Sequence, residues 1–272
     1  NGTVVSDPVG KLSSSFTISA QIILADKDYV RQLNSIFKKV GLEIDGIVPT
    51  TLAERNLILD KNEMHDNIAI IDVGAENTDI GVFEGTTYIY TNSIPLGGEN
   101  ITNDIAMVLN IEKEEADKLK RQYGLALKSF IDNDNDIILN TCRDNSKNKI
   151  IKSSELIEII EARIEEMFLI INKDLTNQGI KSRINNVVLT GQGIVNISKS
   201  DVAGKINLNI PVKISTGRLI GTTRPAYRTA YALVRYIASR PFTKTVSSSI
   251  DTKSNENVFK NILERIKEFF YS

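Results

Sequence analysis

The stretch IAIIDVGAENTDIGVFEGTTYIYTNSIPLGG, residues 68–98, decides the fold. Its apolar opening, residues 68–71, predicts a buried strand. Residues 73–79 predict a tight turn, 80–83 a second strand, 84–86 a hairpin turn and 88–94 a third strand. The pattern therefore predicts an antiparallel meander with polar turns, and a helix that begins after Gly97-Gly98.

The first of these turns suits a nucleotide phosphate. Gly74 has no Cβ, so the backbone can come close to an anion and the Gly74 amide can point at it. Asp72 could hold a water of a phosphate-bound magnesium ion, because Mg²⁺ usually keeps several waters. Thr78 could offer its hydroxyl. A meander whose polar turns bind nothing explains the same residues equally well, so both interpretations stay open at this point.

The composition of the whole chain limits the possible classes of protein. The chain has 272 residues, with 33 basic and 34 acidic side chains. This length can bury a sizeable core and fits one large domain or two closely packed lobes. The charge balance gives no global reason to expect a nucleic-acid partner. The single cysteine, Cys142, leaves no pair for a disulfide within the chain and fits a reducing compartment.

The hydrophobic periodicity outside the central stretch predicts further helices and strands. We expect strands at 16–24, 42–49, 137–139, 186–190 and 210–215, and helices at 26–40, 50–59, 112–123 and 155–175. The strand at 186–190 runs into Gly191-Gln192-Gly193, a second close-approach turn, and a short helix is expected to follow it. A last helix is expected to begin at Pro225. Its predicted inward face comprises Ala226, Ala230, Leu233, Val234 and Ile237.

The end of the chain has a different character. Residues 243–257 are polar and predict a flexible linker. Residues 258–271, VFKNILERIKEFFY, predict a short amphipathic helix. Its apolar side would carry Phe259, Ile262, Leu263, Ile266, Phe269 and Phe270. A helix of this length is marginal in water on its own. Its apolar side therefore needs a surface, either a membrane interface, a partner groove or the domain itself.

The order of these motifs resembles the actin and DnaK-type ATPase superfamily, and within it the FtsA family of bacterial cell-division proteins. The resemblance rests on IDVGAENTDIGVF (71–83), PLGGENITNDIA (95–106), EEADKLKRQYG (114–124), VVLTGQG (187–193) and PAYRTAYALVRY (225–236). It covers nearly the whole chain. It implies an α/β, actin-like (ribonuclease H-like), two-lobed fold with mixed sheets flanked by helices, and a small inserted α/β subdomain.

The resemblance also implies that the chain binds ATP with Mg²⁺. The second phosphate loop would comprise Asp72, Gly74, Ala75, Glu76, Asn77 and Thr78. The ribose and adenine would be bordered by Asp117, Lys120 and Arg121, and the adenosine loop would be Gly191, Gln192 and Gly193. The helices that begin at Gly97-Gly98 and at Pro225 would connect the two lobes.

The domains and partners follow from the same resemblance. Residues 1–50 would be part of the inserted (SHS2-like) subdomain, used in filament contacts, and 51–242 would be the second lobe. The region around 100–185 would bind the C-terminal tail of FtsZ. Residues 258–272, after the 243–257 linker, would hold the assembly on the cytoplasmic face of the membrane at the division site.

The sequence also departs from the family pattern. Ala75 and Glu76 stand in a turn that is usually richer in glycine, and Glu76 adds negative charge near an anion. Gln192 stands where a third glycine is usual. The first phosphate loop of the superfamily is absent, and we expect it to lie upstream of Asn1.

Hydrolysis is expected to be slow at most. Asp72 and Glu76 are weak catalytic candidates, and His65, the single histidine, precedes the first strand. Two alternatives remain: a PilM-type pilus-assembly adaptor, and a small-molecule kinase of the same superfamily. The kinase would need a substrate-binding Asp that the sequence does not clearly supply.

Overall fold

The structure is a computed structural model that describes residues 22–139, 149–215 and 225–239, together with the isolated positions 12, 15 and 17. The side chains at positions 225 and 226 lie outside this description. The contacts divide the chain into two units. One comprises residues 1–47 and 244–272, and the other residues 48–243.

The described part of the first unit is built around one helix, α1 (Lys27–Lys39). Asp26 begins it, because its carboxylate accepts a hydrogen bond of 2.8 Å from the backbone amide of Tyr29. Gly41 follows its end with a positive φ of 75°, which favours glycine. None of the residues of α1 is buried.

The two strands predicted beside α1 are wrong where the structure describes them. Residues 22–24 and 42–49 form no strand. Residues 16 and 18–21 lie outside the described residues. A strand needs a neighbouring strand to pair its backbone, and neither segment has one within the described residues.

The second unit alternates helices and strands in the order α2 (Thr50–Ile58), β1 (Ile68–Val73), β2 (Thr78–Glu84), β3 (Thr87–Ile94), α3 (Gly98–Leu109), α4 (Lys113–Tyr123), β4 (Asp136–Leu139), β5 (Lys149–Lys152), α5 (Ser153–Asn177), β6 (Asn186–Thr190), α6 (Ser200–Leu208), β7 (Val212–Ile214) and α7 (Pro225–Ala238). The central meander, the long helix α5 and the strand β6 are confirmed. The helix α6 is the short helix expected after the Gly191-Gln192-Gly193 turn, whereas the strand β5 was not predicted.

A mixed five-stranded sheet has the order β3-β2-β1-β6-β7. The strands β1, β2 and β3 pair antiparallel, whereas β1, β6 and β7 pair parallel. Asp72 at the end of β1 is in register with Thr190 at the end of β6. Because parallel strands end at the same edge, the turns after β1 and β6 are neighbours. The strands β4 and β5 form a separate two-stranded hairpin.

Helices cover both faces of the sheet. Alternate residues of β1 point to opposite faces: Ala69, Ile71 and Val73 join the core that includes α3 and α5, and Ile68 and Ile70 join the core that includes α2 and α7. All six residues of β1 are buried. This explains why β1 is apolar in consecutive positions instead of alternating. The prediction of an α/β fold with a mixed sheet flanked by helices is confirmed.

The predicted inward face of α7 is wrong for the described positions 230, 234 and 237, which are exposed. Among the side chains of α7 that the structure describes, Arg228 and Ala232 are buried. Ala232 belongs to the core formed with α2, so this side of α7 faces α2. Arg228 is tolerated in the interior because it forms ion pairs with two carboxylates. The periodicity of apolar residues gives no sign of such pairs. None of the described helices is both long and apolar enough to cross a bilayer.

Candidate functional site: a cleft where three glycine-bearing bends meet

Backbone hydrogen bonds join the bends after β1, before α3 and after β6. The amide of Gly193 donates to the carbonyl of Val73 at 2.8 Å, and the amide of Gly98 donates to the carbonyl of Gly74 at 2.9 Å. The amide of Glu99 donates to the carbonyl of Ala75 at 2.8 Å. Bends that are distant along the chain are therefore locked into one structure.

Glycine is required at the contacts between these bends. A Cβ on Gly193 would come within 2.9 Å of the Gly98 amide nitrogen, and a Cβ on Gly98 within 2.6 Å of Gly193 Cα. Gly191 has a positive φ of 96°, and a Cβ there would collide with the carboxylate of Asp72 and the carbonyl of Val73. These glycines therefore serve first to let backbone approach backbone.

The three bends open onto a cleft with a volume of about 580 Å³. The predicted site residues that line it are Asp72, Gly74, Ala75, Gly98, Asp117, Lys120, Arg121, Gly191, Gln192 and Gly193. A volume of this size is in the range of pockets that hold small molecules. The structure thus brings residues from the predicted phosphate loop, the ribose wall and the adenosine loop to one cavity.

Four predicted site residues do not line the cleft. Glu76 and Asn77 are exposed at the turn between β1 and β2. Thr78 is buried, and its hydroxyl donates to the carbonyl of Leu96 at 2.7 Å, so it holds the bend before α3. Gly97 is also buried, and a Cβ there would meet the carbonyl carbon of Ala75 at 2.6 Å. Thr78 and Gly97 shape the bends from behind.

The amide of Gly74 does not point at the cleft as predicted, because it donates to the carbonyl of Asn77 at 2.8 Å within the turn. Neither backbone amide of Ala75 and Glu76 donates a hydrogen bond to any described residue. Both amides are therefore available as donors to an anion.

Arg228 joins two buried carboxylates beside this turn. Its Nη2 donates to Asp72 Oδ1 at 3.0 Å, and its Nε donates to Glu54 Oε1 at 3.1 Å. Thr229 also donates from its hydroxyl to Glu54 Oε1 at 3.2 Å. Arg228 and Asp72 line the cleft, whereas Glu54 lies behind them. The three residues come from α7, β1 and α2, so they tie both helices to the sheet.

Burial is the main cause of a raised pKa at both carboxyl groups of this pair. Burial, together with the charge of Asp72, raises the pKa of Glu54 to about 7, although Arg228 opposes the shift. Burial also raises the pKa of Asp72, with Arg228 again opposing it. Desolvation disfavours the charged form of a carboxyl group, and one guanidinium offsets this only partly.

The helix α4 forms the opposite wall of the cleft. Lys120 Nζ donates to the carbonyl of Gly98 at 3.0 Å and to the hydroxyl of Thr102 at 2.6 Å, and it pairs with Asp117 at 3.0 Å. Arg121 Nε pairs with the other Asp117 oxygen at 2.6 Å. Burial alone would raise the pKa of Asp117, but the bonds from Lys120 and Arg121 outweigh it and lower this pKa. Asp117 is therefore an ionised acceptor at neutral pH.

The arrangement fits an anion better than a metal ion by itself. Among the described residues there is no group of three or more His, Cys, Asp or Glu side chains that could hold a metal. Asp72 is the carboxylate next to the free turn amides, and one of its oxygens is occupied by Arg228.

Sequence reasoning missed Arg228, Glu54 and Thr102. The first two have no signal in their own sequence neighbourhood, because the pair joins residues 174 positions apart. Thr102 lies four residues after Gly98 on the same side of α3 as the cleft, and that spacing could have indicated it. The six predicted membrane-facing residues of 258–271 lie outside the described residues.

A comparison with known families gives a decisive match. The model of the family described as cell division protein FtsA matches residues 69–232. The chain belongs to the FtsA family. The matched segment begins in β1 and ends in α7, so it contains all three bends of the cleft.

Individual FtsA proteins are similar over most of this chain. The FtsA of Bacillus subtilis is 31% identical over 232 residues, which cover 85% of this chain and 52% of that protein. The FtsA of Pseudomonas aeruginosa is 24% identical over 272 residues, covering 97% of this chain and 65% of that protein. The chain therefore spans between about half and two thirds of the length of these relatives.

Solved structures place the fold among actin-like proteins. MreB5 of Spiroplasma citri, solved bound to ADP, superposes with a TM-score of 0.64 at 17% identity, over 78% of this chain and 67% of that one. A PilM–PilN type IV pilus biogenesis complex superposes with a TM-score of 0.54 at 16% identity, over 78% of this chain and 58% of that one. The predicted actin-like fold is confirmed.

Proposed function

We propose that this chain is part of an actin-like, nucleotide-binding adaptor that tethers FtsZ filaments to the cytoplasmic membrane and helps to assemble the division ring. The observation that carries the nucleotide part is the meeting of three bends at one cleft beside Asp72. Membership of the FtsA family supports the division role over the PilM-type and kinase alternatives.

The nucleotide would lie with its phosphates at the turn 74–77 and its nucleoside toward α4. The amides of Ala75 and Glu76 have no acceptor among the described residues and would donate to a phosphate. Asp117, which is ionised, would accept from the ribose hydroxyls, and Lys120 and Arg121 would flank it. Gly191 and Gly193 would let the nucleoside approach the backbone, and Gln192 is the exposed side chain of that turn.

Magnesium would enter with the phosphates and meet Asp72 through a bound water. This mode suits an ion that keeps several waters and is held mainly by the nucleotide. When bound, the magnesium ion would neutralise part of the charge of the phosphates. Asp72 and Glu76 are the weak catalytic candidates, but Asp72 is paired with Arg228 and Glu76 is exposed at the turn. We therefore propose slow hydrolysis at most.

The remaining parts of the tether are assigned from the sequence. The region around 100–185 would receive the FtsZ tail, residues 1–50 would take part in filament contacts, and residues 258–272 would rest on the membrane from the 243–257 linker. The predicted tail helix carries three basic and two acidic residues, so lipid charge adds little to its binding. One copy would bind reversibly, and self-association into filaments would add the binding of many copies.

The nucleotide part is tested by equilibrium binding of ADP and ATP to the 272-residue chain, measured by calorimetry. We expect saturable binding of one nucleotide per chain, with GTP and UTP as competitors that reveal base preference. The same measurement on a Gln192→Ala variant tests whether the exposed side chain at the third bend contributes to binding. If none of these nucleotides binds at millimolar concentrations, the proposal is contradicted.

A further inference from the structure

Arg228 places a fixed cation against the carboxylate that would meet magnesium. Its Nη2 forms an ion pair with Asp72 Oδ1 at 3.0 Å, and its Nε forms a second ion pair with Glu54 Oε1 at 3.1 Å. The side chain of Arg228 is only 5% exposed, and that of Glu54 is fully buried. The cation is therefore positioned by two elements of the core and lines the cleft.

The protein offers few ligands and little net negative charge to a magnesium ion at this position. No described cluster of three or more metal-binding side chains exists in the chain. The nearest carboxylate already shares its charge with a guanidinium, and a divalent cation brought next to a guanidinium is repelled by it. Arginine stays protonated under all ordinary conditions, so this repulsion does not disappear on titration.

The same cation favours the anionic part of a nucleotide. Arg228 lines the cleft together with Gly74 and Ala75, whose turn supplies the proposed phosphate donors. A positive charge in a partly enclosed site acts more strongly on a phosphate than one in open water. Without Arg228, the carboxylate of Asp72, which lines the cleft, would lose its counter-charge and would repel the phosphates.

We propose that Arg228 takes over part of the role of magnesium, so that this chain binds a nucleoside diphosphate or triphosphate with little dependence on Mg²⁺. This inference rests on the proposed nucleotide function. It assigns to Arg228 a positioning and charge-balancing role that acts through Asp72 and toward the phosphate groups.

The test compares the dissociation constant of ADP in saturating MgCl₂ with that in excess EDTA. For the wild-type chain we expect the two values to agree within about threefold. In the double variant Glu54→Gln/Arg228→Met, Asp72 becomes free for the metal and no unpaired buried charge remains at Glu54. We expect EDTA to weaken its ADP binding by about tenfold or more, a change of about 1.4 kcal/mol.

Arg235→Met is the matched control, because Arg235 is an exposed arginine on the same helix. It should keep the weak magnesium dependence of the wild type. Circular dichroism and thermal unfolding establish that each variant is folded. Tight ADP binding by the wild type that weakens more than tenfold in EDTA overturns this inference while leaving the nucleotide function intact, whether or not the double variant folds. An absence of ADP binding in both conditions overturns the proposed function and this inference together.

Discussion

The amide nitrogen of Gly193 donates to the carbonyl of Val73 at 2.8 Å, which joins the bend after β6 to the bend after β1. These two residues are 120 positions apart, and parallel pairing of β1 with β6 brings them together. The cleft depends on this junction, because the proposed phosphate and adenosine loops lie on its two sides.

Replacing Gly193 by alanine is expected to destabilise the chain and weaken nucleotide binding. The new Cβ would press on the Gly98 amide and on the Gly74 carbonyl, and neither backbone can move without shifting a bend. Overpacking of this kind costs about 1–3 kcal/mol. Chemical denaturation measures the loss. Gly46→Ala is the control, since a Cβ there meets nothing within 4 Å and should leave stability nearly unchanged. Equal stabilities of the two variants would show that the bends are not packed as described.

Replacing Lys120 by methionine is expected to weaken ADP binding by about tenfold, which corresponds to about 1.4 kcal/mol. Lys120 holds Asp117 and the first turn of α3 in place from the wall of the cleft. Lys118→Met is the control on the same helix, because the Lys118 side chain is 74% exposed and does not line the cleft. Fluorescence competition with ADP measures both. A Lys118 variant as weak as the Lys120 variant would remove the argument for a specific ribose wall.

Stability should depend on pH through Glu54. Its folded-state pKa of about 7 lies above the ordinary value of 4.5, so the folded state holds this proton more tightly than the unfolded state. The contribution of Glu54 to the free energy of unfolding therefore falls as pH rises from about 4.5 to about 7. The Glu54→Gln variant lacks this pH-dependent loss of stability. The free energy of unfolding of the variant, relative to that of wild type, should therefore rise over that pH range by up to roughly 3 kcal/mol.

A sign control for this prediction is Glu158→Gln. Lys128 lowers the pKa of Glu158, so this carboxylate stabilises the fold above its ordinary pKa and the benefit is lost on acidification. The two variants should therefore change relative stability with pH in opposite directions. Urea titrations at a series of pH values measure both. A difference between Glu54→Gln and wild type that does not vary with pH would mean that Glu54 is not held in a desolvated, repelling site.

The membrane proposal predicts that loss of residues 258–272 releases the protein from liposomes. The reason is that the apolar side of the predicted helix would supply most of the binding, at about 1.5–3 kcal/mol at most for each large side chain. Liposome sedimentation measures the effect on a full-length protein. Phe269→Ser/Phe270→Ser should reduce sedimentation strongly, and Lys260→Ser only slightly. Unchanged sedimentation after the deletion would refute this anchor.

The sequence predicts the parts of this fold that local patterns determine. The run 68–71, the glycine turns and the period of α5 are local signals, and each led to the correct element. The strand predicted at 16–24 does not form in its described part, 22–24, and the strand predicted at 42–49 does not form either. Both predictions were wrong because a strand depends on a neighbour that the local sequence does not reveal. The face of α7 was wrong for a related reason. Apolar spacing favoured residues 230, 234 and 237, while Arg228 is buried by partners on α2 and β1.

The same distinction applies to the cleft. The glycine motifs indicated which bends matter, and the parallel register of β1 with β6 brings two of them together. The assignment of the Gly74 amide to an anion was wrong because the turn itself uses that donor. The pairing of Glu54 with Arg228 is a tertiary contact with no trace in either local sequence, so it required the structure.

The most direct test of the central claim is a crystal structure of the chain with ADP. The account predicts phosphates against the amides of Ala75 and Glu76, the ribose near Asp117 and Lys120, and the nucleoside in contact with the bend at Gly191–Gly193. ADP bound at another place on the chain, or in contact with only one of the bends, would contradict it.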